Sequence, residues 1–218
     1  MVESSPESES QGFPTKEELL VLADYWEERG DSRAEFVRNW GYSPESYALL
    51  VLLPEPDLSE AVCAFVERAL GRERNAGRDP NHDAWKAVHA KQAWLRGEID
   101  EDELARARVE ANAAIQPLTD SLGRTQHPSV EMAIVTAARA APFAAYLPDN
   151  DFPTDPVLRF LTEGTAPQMA VGLAGEQAGY AAAAVTQQNH FDEAAQRAET
   201  AWQADWIMRR LWAGDRPT

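Results

Sequence analysis

Apolar positions recur every three to four residues through most of the chain, and the breaks in that rhythm fall at Gly and Pro. Such a period marks amphipathic helices, so an all-α, multi-helix bundle of about nine or ten helices is expected. Pro14-Thr15-Lys16-Glu17-Glu18 reads as a capping box, after which Leu19, Leu22, Ala23 and Trp26 keep helical spacing up to Gly30. A second short helix fits Ser32–Trp40, with Gly41 as its stop. Ser43-Pro44 opens a third, which carries Tyr47–Leu53 and ends at Pro54 and Pro56. That run is apolar enough for a buried strand, and the start signal favours helix. Asp57-Leu58-Ser59-Glu60 caps a fourth helix running to Gly71.

Arg72–Arg78 is polar and contains Gly77, which makes it the expected linker. It separates an N-terminal helical subdomain, 13–75, from an alanine-rich helical domain, 76–214, or joins the two as one continuous domain. Asp79-Pro80 opens the fifth helix, and the sixth runs from about Glu101 to Gln116, ending before Pro117. Ser129–Tyr146 follows, bent or ended near Pro142, which cannot donate to the helical ladder. Pro148, Pro153 and Pro156 mark a loop that holds a short helix over Val157–Leu161. Thr165-Ala166-Pro167 leads into Gln168–Gln188, where Gly172, Gly175 and Gly179 lower helix propensity but allow a neighbour to pack closely. On the last helix, ending near Gly214, the stripe Phe191, Ala195, Ala198, Trp202, Trp206 is expected to face the core.

The segment from Ala90 to Arg108 carries the densest local information. Gly97 can take the left-handed conformation that closes a helix, Asp100 can cap the next, and Glu103 would complete the Asp-x-x-Glu box. These roles are architectural. The same acids, Asp100, Glu101 and Asp102, are nonetheless candidates for contact with a partner, as are Asp149, Asp151 and Asp155 in the Pro-rich loop, because loops carry binding residues more often than packing.

Charge extends this reading. Thirty-six acidic residues against 20 basic ones give a net charge of −16, which repels nucleic-acid phosphates and anionic lipid. Direct nucleic-acid and membrane binding are disfavoured, and a basic protein partner is the complementary expectation. Residues 1–12, rich in Ser and Glu, read as a disordered acidic tail, unlike the basic, apolar start of a secretory signal. With one cysteine, Cys63, in an apolar helical setting, a cytoplasmic location and a structural thiol are expected.

Chemistry is sparse. His82 and His89 lie seven residues apart, which on a helix is two turns, about 10 Å, too far to share a metal unaided. The sequence has no His-Glu-x-x-His, no Cys-x-x-Cys and no phosphate-cradling Gly loop, so no metal and no cofactor is expected. An enzyme or small-ligand protein would have to gather dispersed residues such as Trp85, His89, Arg96 and Arg139 into a pocket between helices.

Two segments carry family resemblances. Leu20–Arg38, with its Ala23-Asp24-Tyr25-Trp26-Glu27-Glu28-Arg29-Gly30-Asp31 core and Arg33-Ala34-Glu35-Phe36-Val37-Arg38 stretch, resembles the repeat-companion domain. This implies a helical hairpin and no transferable activity. More loosely, Ala93-Trp94-Leu95-Arg96-Gly97-Glu98-Ile99, Ala105-Arg106-Ala107-Arg108, the alanine-rich helices and Ala198-Glu199-Thr200-Ala201-Trp202-Gln203 are similar to the fifth immunity-protein family of bacterial polymorphic toxin systems. That resemblance spans about Ala69 to Leu211 and implies an all-helical, non-enzymatic protein that binds a cognate toxin. The expected function is therefore cytoplasmic protein binding, with an immunity protein as its specific form. A helical enzyme or ligand-binding protein, and a scaffold subunit self-associating through Gln168–Gln188, are the alternatives.

Overall fold

The computed structural model describes residues 16–30, 34, 52–78, 82–121, 128–146, 166–184 and 192–215. Among these the chain is all α, forming a bundle of seven helices with no strand: α1 (Lys16–Glu27), α2 (Glu55–Asn75), α3 (His82–Leu95), α4 (Glu101–Ser121), α5 (Pro128–Ala144), α6 (Ala166–Ala183) and α7 (Glu193–Asp215). The expected helices over 32–40, 43–53 and 157–161, and the acidic tail, fall outside the described residues or touch them only at Ala34, Leu52 and Leu53.

Helix α2 lies at the centre and packs on α3, α5, α6 and α7; α3, α4, α5 and α6 follow one another as neighbours, and α7 closes against α6. Leu58, Val62, Phe65, Val66, Ala69 and Leu70 of α2 form the middle of the core, with Val88 from α3, Leu104 from α4, Val171 from α6 and Ile207 from α7 around them. Trp26 ties α1 to the same core. No described helix is long and apolar enough to cross a membrane.

Several boundaries differ from those expected. The helix that Pro54 and Pro56 are expected to end lies almost wholly outside the described residues, and both prolines serve the next one: Pro54 is the N-cap of α2 and Pro56 sits in its first turn, where a missing N–H costs nothing because that amide has no helical acceptor. At the other end, α2 runs past Gly71 into the expected linker as far as Asn75. Two buried ion pairs hold this polar extension, Arg72 with Glu199 and Arg78 with Glu73, and Gly77 at φ 74 then turns the chain. Helix α4 likewise continues through Pro117 to Ser121. The carbonyl that Pro117 deprives of its donor is that of Ala113, on the exposed side, where water can replace it. By contrast, α5 ends two residues after Pro142, close to the expected stop.

The glycine seam of α6 is used within the chain. A Cβ on Gly175 would come within 2.8 Å of Gln203 Oε1 and 3.4 Å of Phe65, so a larger residue would push aside Gln203, whose amide donates to the Gly175 carbonyl at 3.0 Å. Gly179 faces Gln196 at a looser 3.5 Å. Across from this, α7 meets α2 through larger side chains. The rings of Trp202 and Trp206 stand edge-on to Phe65 at 6.0 and 5.9 Å, and Arg68 stacks over Trp202 at 4.1 Å. The fully buried Glu199 accepts from Arg68 Nε at 2.9 Å and from Arg72, while Arg210 pairs with Asp57 and Glu60. The buried stripe of α7 is thus Glu199, Gln203, Ile207 and Leu211, with Ala204 and Met208 beside it. Ala198 is exposed and both tryptophans are only half-buried. The expected register is rotated by one residue, about 100°.

Candidate functional site

Besides the ion pairs between α2 and α7, polar groups gather among the described residues at the corner between α3 and α4 and in a recess at the start of α2 and α6. At the corner, Gly97 has φ 71, and its N–H donates to Trp94 O while Glu98 N–H donates to Ala93 O, both at 2.9 Å. This crossed pair satisfies the last carbonyls of α3. Asp100 Oδ1 then accepts from Glu103 N–H at 2.9 Å as the N-cap of α4. The box is half-formed, because the Glu103 carboxylate turns instead toward Arg106, 3.6 Å away. Ile99 and Leu104, flanking the cap, both belong to the core assembly and anchor the turn.

Glu101 and Asp102 project from this anchored turn, exposed and without an ion pair among the described residues. Beside them Asp102, Ala105, Arg106, Val109 and Glu110 line a shallow, open groove along the outer face of α4, and Val109 is 67% exposed within it. Lys86 closes one edge, bridging Asp83 at 3.0 Å and Glu110 at 3.2 Å; both carboxylates raise its pKa. Asp149, Asp151 and Asp155 lie outside the described residues.

The four candidate pocket residues are spread over the described helices, Trp85 and His89 on α3, Arg96 at the corner after it and Arg139 on α5. Trp85 and His89 are neighbours on α3, with ring centroids 6.1 Å apart, and the Arg74 guanidinium lies over the Trp85 ring at 4.0 Å. His89 is exposed. Arg96 belongs to the corner, where it grips Glu98 through two bonds of 2.7 and 2.8 Å; this pairing raises the Arg96 pKa and lowers that of Glu98. Arg139 is half-buried on α5, and neither the groove on α4 nor the recess below includes any of the four. No group of three or more metal-ligating side chains occurs among the described residues.

The recess has different residues. Glu55, Leu58, Ser59 and Val62 of α2, Lys91 of α3, Phe143 and Tyr146 at the end of α5, and Pro167 and Ala170 of α6 surround a volume of about 10 Å³, enough for one small molecule the size of water. Lys91 is 3% exposed; its ammonium donates to Tyr146 O at 2.7 Å and lies 4.2 Å from the centre of the Trp94 ring. Burial lowers its pKa to about 8, against smaller opposing pulls from Cys63 and Glu55. The neighbouring Cys63 thiol is pushed up to about 12 by burial and is an inert core group, as expected.

Lys91 was not among the expected site residues, although its spacing from Ala84, Ala87 and Val88 places it on the same buried face. Glu199 was hidden by the one-residue shift on α7. No family model, no curated protein and no solved structure matches this chain.

Proposed function

We propose that this protein is a non-enzymatic binding protein that holds a basic protein partner on the acidic start of α4 and the adjoining groove. The observation that carries this reading is a capped turn presenting Glu101 and Asp102 with no ion pair among the described residues, next to an exposed Val109 ringed by charge. An apolar contact bordered by charges suits protein recognition, where the charges guide encounter and the apolar centre slows release. The net charge of −16 adds long-range attraction for a cationic partner. The resemblance to the fifth immunity-protein family supplies the specific form, a cytoplasmic protein that neutralises a cognate bacterial toxin.

The test uses proteins encoded beside this one. A toxic neighbour rescued by co-expression, with an association rate that falls about tenfold or more at low salt in the Glu101→Lys, Asp102→Lys variant, supports the assignment. If no neighbour is toxic or rescued, the immunity role is wrong. If rescue occurs but charge reversal leaves the association rate unchanged, the surface is wrong.

A further inference from the structure

The contacts that seat α7 on its neighbours are polar where the α5–α6 seam is alanine on both sides. Gln196, Glu199 and Gln203, spaced three and four residues apart, face α6 and α2: Gln196 lies against Gly179, Gln203 donates to the Gly175 carbonyl, and Glu199 accepts from Arg68 and Arg72. Further along, Arg210 pairs with Asp57 and Glu60. Such groups add little to docking, because the water they give up cancels most of what each new bond returns. Three buried polar atoms at this junction, Arg72 Nη1, Glu199 Oε1 and Arg210 Nε, make no hydrogen bond among the described residues. Elsewhere among those residues only Trp85 Nε1 shares that condition.

Undocking α7 therefore returns one carboxylate, an amide and the heads of Arg68, Arg72 and Arg210 to water. Against this stand the apolar contacts of Ile207, Met208 and Leu211 and the edges of Trp202 and Trp206 on Phe65. The turn before α7 supplies a pivot: Asp192 N–H donates to Ala183 O, and the Asp192 carboxylate accepts from Ala195 N–H, both at 3.0 Å. We propose that α7 is a strap that lifts off α2 and α6 as a unit while the rest of the bundle stays folded. Lifting uncovers Phe65, 1% exposed when α7 is docked, and frees the guanidiniums of Arg68 and Arg72 beside it from their shared carboxylate. The open form thus presents a cationic, aromatic face on a molecule whose net charge is −16.

Native-state hydrogen exchange of the full-length protein, read by mass spectrometry at several low urea concentrations, tests the strap. Amides of α7 should exchange at least about tenfold faster than the slowest amides of α2 and α5, and with a weaker dependence on urea, because a local opening exposes less surface than global unfolding. Two variants separate the events. Leu104→Val removes one buried methylene from α4, which packs on α3 and α5; it should speed exchange in α2 and α5 by about fivefold and leave α7 unchanged. Glu199→Gln, which leaves two arginines facing a neutral amide, should speed exchange of α7 by about tenfold or more. Exchange of α7 at the rate and urea dependence of α2 and α5 in the unaltered protein overturns the assignment, however the variants fold. So does a Leu104→Val variant that accelerates α7 as much as α5, or a Glu199→Gln variant whose α7 exchanges as before.

Discussion

Replacing Lys91 with Met removes a buried charge while keeping much of its volume, and the resulting change in stability has a defined sign at each pH. The folded-state pKa is lowered from 10.5 to about 8. Below pH 8 both folded and unfolded chains carry the proton, so the whole penalty of burying the charge is present, roughly 3 kcal/mol. Between pH 8 and 10.5 the folded chain gives up its proton first, and the native protein gains stability as pH rises. Above 10.5 both forms are neutral and the penalty is gone. Met also forfeits the hydrogen bond to Tyr146 O, worth about 1 kcal/mol. The variant should therefore be more stable than the native protein by about 2 kcal/mol at pH 7, and less stable by about 1 kcal/mol above pH 10.5. Urea denaturation at both pH values measures the difference. Cys63, whose raised pKa costs stability above pH 9, is common to both proteins, and its coupling to Lys91, like that of Glu55, is smaller than the effect of burial. A Met variant that is less stable at pH 7, or a gap that does not change with pH, would refute the reasoning.

Two further predictions concern the docking of α7. Gly175→Ala should lower stability by about 1 kcal/mol, because its Cβ would displace the buried Gln203 amide, whereas Gly179→Ala, with an ordinary 3.5 Å contact, should be neutral or stabilising through better helix propensity; chemical denaturation distinguishes them. Glu199→Gln should cost roughly 2 kcal/mol in the same assay, since it removes the carboxylate shared by Arg68 and Arg72, and Arg68→Ala should cost less because that side chain is 39% exposed.

What could be read from the chain was what its chemistry settles within a few residues. Gly97 and Asp100 act where expected because a helix end is satisfied by its own immediate neighbours. Gly30, at φ 68, ends the turn after α1 for the same reason. Prolines carry more than one meaning: Pro56, expected to close one helix, sits in the first turn of the next, and Pro117 looked like a stop and is tolerated where its orphaned carbonyl faces water. Trp202 and Trp206 pulled the reading of α7 toward their own face, because large aromatic residues outweigh the smaller Ala204 and Ile207 that actually fill the interior. The partners of Glu199 lie 127 and 131 residues away, a distance over which no local pattern can pair an acid with an arginine. Lys91 was legible in its spacing, but a charged residue on an apolar face is easily passed over as surface.

The tight packing of α5 on α6 rests on alanine. Ala137, Ala140, Ala141 and Ala144 on one helix, and Ala174, Ala178 and Ala181 on the other, are wholly buried. In such a seam the methyl group sets the separation of the two backbones, and any larger side chain forces them apart. Around Phe65 and Leu70, by contrast, it is loss of volume that leaves a void. The bundle therefore has two regions with different mutational tolerances: a saturation scan should show the alanine seam rejecting bulk, with glycine costing about 1 kcal/mol of helix propensity, while the α2 core rejects trimming and accepts exchange among large residues.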